Sequence, residues 1–377
     1  MTFYHIKIIR SIERLEPIKN QWERLAQLDS RDGFFKDWDW QTGWFKYFGK
    51  SGDLYILIVE DSGGVIKGIL PLARYKVHLF PLIQCTVLGF MGREIVSGDY
   101  LDVLADTEDK AAVVDMATNW LLSQKIKFSF LMFGEIIKDD PTYLQCQKIS
   151  STKGLPIRLQ ENRNCPYIEL PKSFDLYLQS LSKNFRYNIR RRNRKVFIQS
   201  GGRVVITEDA RGLKQGLKDL FKLHILRWGN AGISCTFENE TFRAFVVDVC
   251  QKLAVKKSVR LYRLFLKEKS VAAMLIFYWG ESAIFYQMGW DPSFKKYSPG
   301  VVLMSKTIED AIDMGKRYYD FLRGDEPYKW KWTNSHRKTT TLMLPNRLAG
   351  MGLYRVLNMK DKIRGITLKE KAEQLAC

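Results

Sequence analysis

Charged groups of both signs crowd one short stretch of the chain, Asp320-Phe321-Leu322-Arg323-Gly324-Asp325-Glu326-Pro327-Tyr328-Lys329. A carboxylate here, Asp320 or Glu326, can take a proton from an ammonium nucleophile, and Lys329 or Arg323 can steady a developing oxyanion. Tyr328 stands between them as a further acid–base candidate. Upstream runs Lys295-Lys296-Tyr297-Ser298-Pro299-Gly300. Ser298 is an expected helix N-cap, Pro299 a favoured first-turn residue, and Gly300 a place where a ligand can approach the backbone. The N–H groups of Gly300, Val301 and Val302, with Lys295 or Lys296, would then hold a pyrophosphate. His224 with Arg227-Trp228, on a helical pattern, makes a third constellation. Each also fits a structural reading: an ordinary helix start, an ion-pair cluster, and a packing histidine.

These residues need elements that carry them to one place. Alternation of Ile284, Tyr286 and Met288 against Phe285 and Gln287 predicts a strand. The basic loop follows, then a helix from Ser298 to Gly315 and a second strand from Arg317 to Leu322. Strand, loop, helix, strand is a parallel crossover, and ligands collect at the carboxyl ends of such strands.

A second concentration of charge lies between Leu176 and Thr207, where eight basic residues, Arg186, Arg190, Arg191 and Arg192 among them, meet no acidic one. Leu178, Leu181, Phe185, Ile189 and Val196 recur at helical spacing, so one face is anchored and the others carry arginine. Guanidinium groups so arrayed suit a phosphorylated substrate, a coenzyme or a nucleic-acid backbone, or simply a solvated surface.

Hydrophobic residues make up 46% of the 377 and aromatics 13%, enough to bury two cores, which rules out a disordered chain. The 60 basic and 41 acidic side chains leave +19, favouring anionic partners. No apolar run approaches the roughly 18 residues needed to cross a bilayer, and Met1 to Arg14 has no apolar leader. Six cysteines without a CxxC pair read as free buried thiols, and four scattered histidines argue against a metal site. The expectation is a cytoplasmic protein.

One pattern occurs twice. Trp40, Trp44, Phe45 and Phe48 on a helix precede a hairpin, Leu54 to Val59 and Val65 to Ala73, turning at Asp61 to Gly64. Later, Leu217, Leu220, Phe221 and His224, then Phe237, Phe242 and Phe245, precede a hairpin at Arg260 to Leu266 and Val271 to Tyr278. A tandem α/β architecture follows, with the halves meeting near the turn-rich Ser150 to Gly154 and Asn162 to Pro166. After Pro345 the chain becomes a basic amphipathic tail, expected to dock on the body.

With these motifs in order, the chain resembles the GNAT-superfamily acyltransferases of the CelD or BioF2-like type, related to the FemAB peptidyltransferases. The resemblance rests on Ser182 to Arg191, His224 to Trp228, Gly289-Trp290-Asp291-Pro292, Tyr297 to Gly300, and Asp320 to Gly324 leading to Tyr328-Lys329. Trp22, Phe34, Trp40, Pro71-Leu72 and Gly89 through Tyr100 carry it in the first half.

The resemblance implies tandem GNAT folds, mixed sheets with splayed central strands flanked by helices, at residues 1–165 and 166–345, with a tail at 346–377. It implies an acyl-CoA co-substrate, acetyl-CoA above all, and no metal. Its pantetheine would enter between strands ending near Met288-Gly289 and Leu322, its pyrophosphate resting on Lys295 to Gly300. Here the family's glycine-rich signature is reduced to Tyr-Ser-Pro-Gly. The implied acceptor is an amine on a small or sugar-linked, anionic molecule of surface-polysaccharide synthesis, oriented by Arg186, Arg190, Arg191, His224, Arg227, Trp228 and Arg323. FemAB relatives instead take the acyl group from aminoacyl-tRNA, and a non-catalytic scaffold for polysaccharide-synthesis machinery at the inner membrane face is the remaining alternative.

Overall fold

The computed structural model describes residues 4–50, 53–80, 83–92, 98–124, 128–229, 235–346 and 350–358. The first half contributes β1 (Tyr4–Ile9), α1 (Lys19–Gln27), α2 (Trp38–Phe48), β2 (Leu54–Asp61), β3 (Ile66–Phe80), β4 (Ile83–Phe90), β5 (Leu104–Ala105), α3 (Thr107–Ser123), β6 (Phe130–Ile137) and α4 (Pro141–Lys153). A long strand, β7 (Arg158–Glu169), leads into α5 (Phe174–Ser180), α6 (Lys183–Asn193) and β8 (Arg203–Thr207). Then come α7 (Ala210–Gly229), α8 (Glu240–Val255), β9 (Val259–Leu266), β10 (Lys269–Trp279), β11 (Ser282–Trp290), α9 (Pro299–Asp313), β12 (Tyr318–Asp320) and β13 (His336–Pro345). A short helix at 350–358 closes the described chain.

Twelve strands form one continuous path, β1-β2-β3-β4-β6-β13-β7-β12-β11-β10-β9-β8, with β5 paired to β3. Read from its middle outward the path repeats itself: β6-β4-β3-β2-β1 on one side, β12-β11-β10-β9-β8 on the other. In each half three residue pairs hold a parallel ladder, Val87–Gly89 against Phe130–Met132 and Ser282–Ile284 against Tyr318–Asp320. Each ladder is bridged by a helix, α3 or α9. The expected duplication is thus a matter of topology, and the sheet is mixed and flanked by helices.

The seam differs from a turn-rich linker. Ser150 to Lys153 ends α4, whose C-cap Gly154 takes the left-handed conformation, and Asn162 to Pro166 lies inside β7. That strand changes partner along its length: Arg158 to Pro166 pairs with β13, Tyr167 to Glu169 with β12. The last strand, β13, also pairs with β6 of the first half. The ladder hydrogen bonds that join the halves are therefore as regular as those within them.

Nor do the halves keep separate cores. The two aromatic clusters that occupy corresponding sequence positions meet across the seam, with Trp40 edge-on to Phe245 at 5.1 Å and Phe34 stacked on Phe277 at 4.4 Å. Such contacts add about 0.5–1.5 kcal/mol each beyond burial. A second core, beneath α5, α6 and α9, belongs to the second half alone. Helix 350–358 lays Leu353, Tyr354 and Leu357 against the shared core. The rest of the expected tail lies outside the described residues.

Polar ties complete the seam. Arg337 on β13 bridges Asp32 and Asp320, and the Tyr100 hydroxyl donates to Asp320 at 2.9 Å. Arg323 meets Asp99 at 3.0 Å and Glu135 at 2.5 Å, while its own N–H donates to Asp99. Removing one partner from such a buried pair strands the others' charge, at about 3–5 kcal/mol. Arg337→Met is expected to lower unfolding stability by that order, read from denaturant midpoints, because two carboxylates lose their counter-charge.

Candidate active site

Beyond Ile284 and Asp320 the parallel pairing of β11 and β12 stops. The two strands part, and their continuations, Phe285 to Met288 and Phe321 to Arg323, line a cavity of about 220 Å³. At the parting β11 also carries a bulge: Leu275 opposes Gln287 and Ile276 opposes Phe285, so Tyr286 is the extra residue. Bulges break the ladder and re-aim side chains. Among the described residues no strand pairs with this edge of β11 past Ile284.

The first half parts its strands at the same register and then fills the gap. Phe90 and Phe133, which follow the last pair there, are fully buried and stacked at 4.9 Å. Their counterparts Phe285 and Phe321 stand edge-on at 6.3 Å. One half is plugged, the other open.

A second cavity, about 370 Å³, lies against the start of α9 and meets the first at Arg227, Met288 and Tyr328. Its walls include Lys295, Ser298, Gly300 and Val301 from the loop, Phe185, Asn188 and Arg192 from α6, and Trp290, Lys331 and Trp332. Here the helix start differs from expectation. Ser298 takes the left-handed conformation (φ 51°) and its hydroxyl makes no cap bond. Its carbonyl accepts the N–H groups of Val301 and Val302 instead, at 3.0 and 3.2 Å. Among the described residues only Gly300 of the three expected donors has an amide without a backbone acceptor. Val302 is buried in the second core. Lys296 and Tyr297 do not line the cleft, and Lys296 lies over the Tyr297 ring. Gly289 belongs to packing: a Cβ there would stand 2.2 Å from the backbone nitrogen of His224, so α7 rests on bare backbone.

The charged cluster after β12 divides in two. Asp320 is 2% exposed, held by Arg337, Tyr100 and the Leu322 N–H, and is absent from the cavity wall. As a base toward a substrate in the cleft it is misplaced. Glu326, Tyr328, Lys329 and Arg323 do line it. The Lys329 ammonium donates to the carbonyls of Leu322 and Arg323 at 3.2 and 2.8 Å and pairs with Glu326 at 3.0 Å. An ammonium has three donors, so all are engaged, and Lys329 pins the strand end and Glu326 rather than standing free for an oxyanion. Gly324 makes room for that carboxylate: its φ is +129° and a Cβ would stand 2.2 Å from Glu326 Oε2. Only glycine suits both conditions.

On the opposite wall His224 is buried, with its Nε2 3.1 Å from Gln287 and 3.2 Å from the Trp228 indole nitrogen, whose N–H donates to it. Burial pushes its pKa down to about 4, aided by the nearby Arg227 charge and opposed by Gln287. It is a neutral, fixed hydrogen-bonding group near neutral pH. Arg227 lies over the rings of Trp228 and Trp290 and reaches the Met288 carbonyl at 3.5 Å. Burial lowers its pKa, with Tyr328 and Glu326 opposing. Burial, then the Glu326 charge, raises that of Tyr328, which stays a phenol. Burial likewise lifts Asp99 to about 6 against the pull of Arg323.

The arginine helix reaches the cleft differently from expectation. Arg186, Arg190 and Arg191 do not line it: Arg186 donates to the Gln179 carbonyl, Arg190 pairs with exposed Asp175, and Arg191 meets Asn188. Arg192 does line it, because Phe185, Ile189, Arg192 and Val196 form one inward stripe at helical spacing. That periodicity was visible in the sequence. Asp99, Tyr286 and Gln287 gave no local signal, since a bulge and a contact from the other half place them.

Residues 183–330 match the family model of the acetyltransferase (GNAT) domain. No curated protein matches the chain. Among solved structures, FemX is similar over 93% of this chain and 99% of its own, with a TM-score of 0.62 at 12% identity. L-PGS from Bacillus licheniformis covers 93% and 96%, with a TM-score of 0.53 at 13% identity. The C-terminal domain of a putative lysylphosphatidylglycerol synthetase from Agrobacterium fabrum covers 90% and 95%, with a TM-score of 0.54 at 8% identity. Such identities speak for fold alone. The duplicated mixed sheet is thus shared with these structures, and the match to the acetyltransferase (GNAT) domain model lies within its second half.

Burial of neutral His224 gives a pH signature. Unfolded, an imidazole takes a proton below about pH 6.5; folded, this one resists until about 4. The unfolded chain thus binds the extra proton between those values, so the contribution is complete above the upper one and lost as pH falls to the lower. His224→Gln is expected to flatten the dependence of the unfolding midpoint across that window.

Proposed function

We propose that this protein transfers an acyl group, acetyl foremost, from acyl-CoA to an amine, with Glu326 as the base. The observation that carries this reading is the pair of adjoining cavities on either side of the parted strands, joined at Arg227, Met288 and Tyr328. A linear donor fits the larger cavity with its reactive end in the parting, and the acceptor amine fits the smaller, beside Glu326.

Lys295, Arg192 and the Gly300 amide would hold the donor's diphosphate, and the open edge of β11 would meet its amide-bearing arm. Pantetheine amides match unpaired strand groups as a further strand would. Glu326 takes the proton of the attacking ammonium, directly or through water. The neutral amine then adds to the thioester carbonyl, forming the C–N bond and a tetrahedral oxyanion; as this collapses the C–S bond breaks, Tyr328, kept protonated by its surroundings, gives its proton to the departing thiolate, and the second proton lost by the nitrogen returns to the Tyr328 oxygen. Open N–H groups of β11 and the Arg227 guanidinium would face the tetrahedral oxyanion. Arg227 has no carboxylate paired to it among the described residues, which favours an acceptor bearing an anionic group. A sugar-linked amine of surface-polysaccharide synthesis, as in the CelD type, meets that description.

Calorimetric titration with acetyl-CoA and coenzyme A tests the donor. Saturable binding of both is expected; no heat with either, together with binding of an aminoacyl-tRNA, would replace this reading by the FemAB-like one. Glu326→Gln should lower the acyl-transfer rate by about 10²–10⁴ while leaving acetyl-CoA affinity unchanged. Asp320→Asn should act chiefly on stability.

A further inference from the structure

The outward face of the arginine helix is left over by the cleft. The stripe opposite Phe185 and Ile189 comprises Lys183, Tyr187, Arg190, Arg191, Arg194 and Ile198, at three- and four-residue spacing along α6 and the π-turn Arg194–Gln199 that extends it. All six are exposed. Four are cations, and Asp175, itself exposed and 3.5 Å from Arg190, is the only carboxylate paired with them among the described residues. Lys195 ties this face to the start of α9 by donating to the Lys296 carbonyl, so the exposed lysines there extend the same charge.

Large apolar side chains stand out among these cations. Ile198 is 76% exposed, Tyr187 64%, and Leu176 on neighbouring α5 50%. A solvated basic helix has no use for them. An RNA backbone would reward the cations, and Tyr187 could stack on a base, but bare Ile198 and Leu176 offer nothing to phosphate or sugar. A bilayer surface rewards all three kinds of group. Lys and Arg bind anionic headgroups, tyrosine favours the headgroup level, and aliphatic side chains enter the acyl boundary.

We infer that this face docks the protein on an anionic membrane surface. No helix among the described residues is long and apolar enough to cross a bilayer, so attachment would be peripheral and salt-sensitive. Because Phe185 and Arg192 of the same helix wall the larger cavity, docking would bring the cleft close to the headgroups.

Flotation of the full chain with vesicles tests this, using pure phosphatidylcholine against three parts phosphatidylcholine to one part phosphatidylglycerol at physiological salt. Binding to the anionic vesicles is expected to exceed that to neutral ones by at least about tenfold. The double substitution Lys183→Glu with Arg194→Glu should abolish it, and Tyr187→Ser with Ile198→Ser should weaken it several-fold. Both variants should keep the wild-type melting transition and acetyl-CoA titration. Absence of binding to either vesicle, or retention by both variants, would overturn the inference. So would transfer RNA that binds the serine variant as tightly as wild type and strips the protein from vesicles, which would make this an RNA-binding face. Vesicle binding and its loss in the variants do not depend on whether acetyl-CoA is the donor.

Discussion

Two strands that pair for three residues and then separate set the terms for the rest of this molecule. Parting leaves backbone groups of β11 without a ladder, and unpaired peptide groups away from water are costly. The opening must therefore be held by other interactions and compensated by a ligand or solvent. Arg323 and Arg337 do the holding, each anchored by carboxylates of the first half, Asp99 and Glu135 for one, Asp32 for the other. The first half is thus a brace for the second, which explains why its own parting can be plugged with Phe90 and Phe133.

The brace accounts for the fate of Asp320. Sitting at the last paired residue of β12, it is at the position where a sequence reading looks for a catalytic carboxylate. In three dimensions the same position is where the strands must be fixed before they part, and Arg337 claims the side chain. Lys329 has a similar history: near the chemistry, with every donor spent on Leu322, Arg323 and Glu326. Glu326 lines the cleft beside Lys329, set in the space that Gly324 leaves.

The hairpins, the parallel crossover and the duplication were all legible, because period-two alternation and Ser-Pro-Gly punctuation are local signals. Their assembly into one sheet was not. Nothing in His336 to Pro345 announces that this strand pairs with β6, more than two hundred positions upstream, and a run such as Asn162 to Pro166 reads as a turn though β13 holds it extended. Of the candidate site, His224, Arg227, Trp228, Arg323, Glu326, Tyr328, Lys295 and Gly300 line the two adjoining cavities. Arg190 and Arg191 diverge because a helix has one inward face and Arg192 holds it. Ser298 looked like a capping residue, but its left-handed backbone turns the carbonyl, rather than the hydroxyl, toward the first amides of α9.

The claim at the centre is that the donor's reactive arm enters the parting of the second half and not the plugged one of the first. Methyl resonances report this directly: Met288 lies where the two cavities join, and Met91, fully buried, follows Phe90 in the first half. Titrating methyl-labelled protein with acetyl-CoA should shift the Met288 signal saturably and leave Met91 unmoved. Binding that displaces Met91 while Met288 stays still would contradict the account.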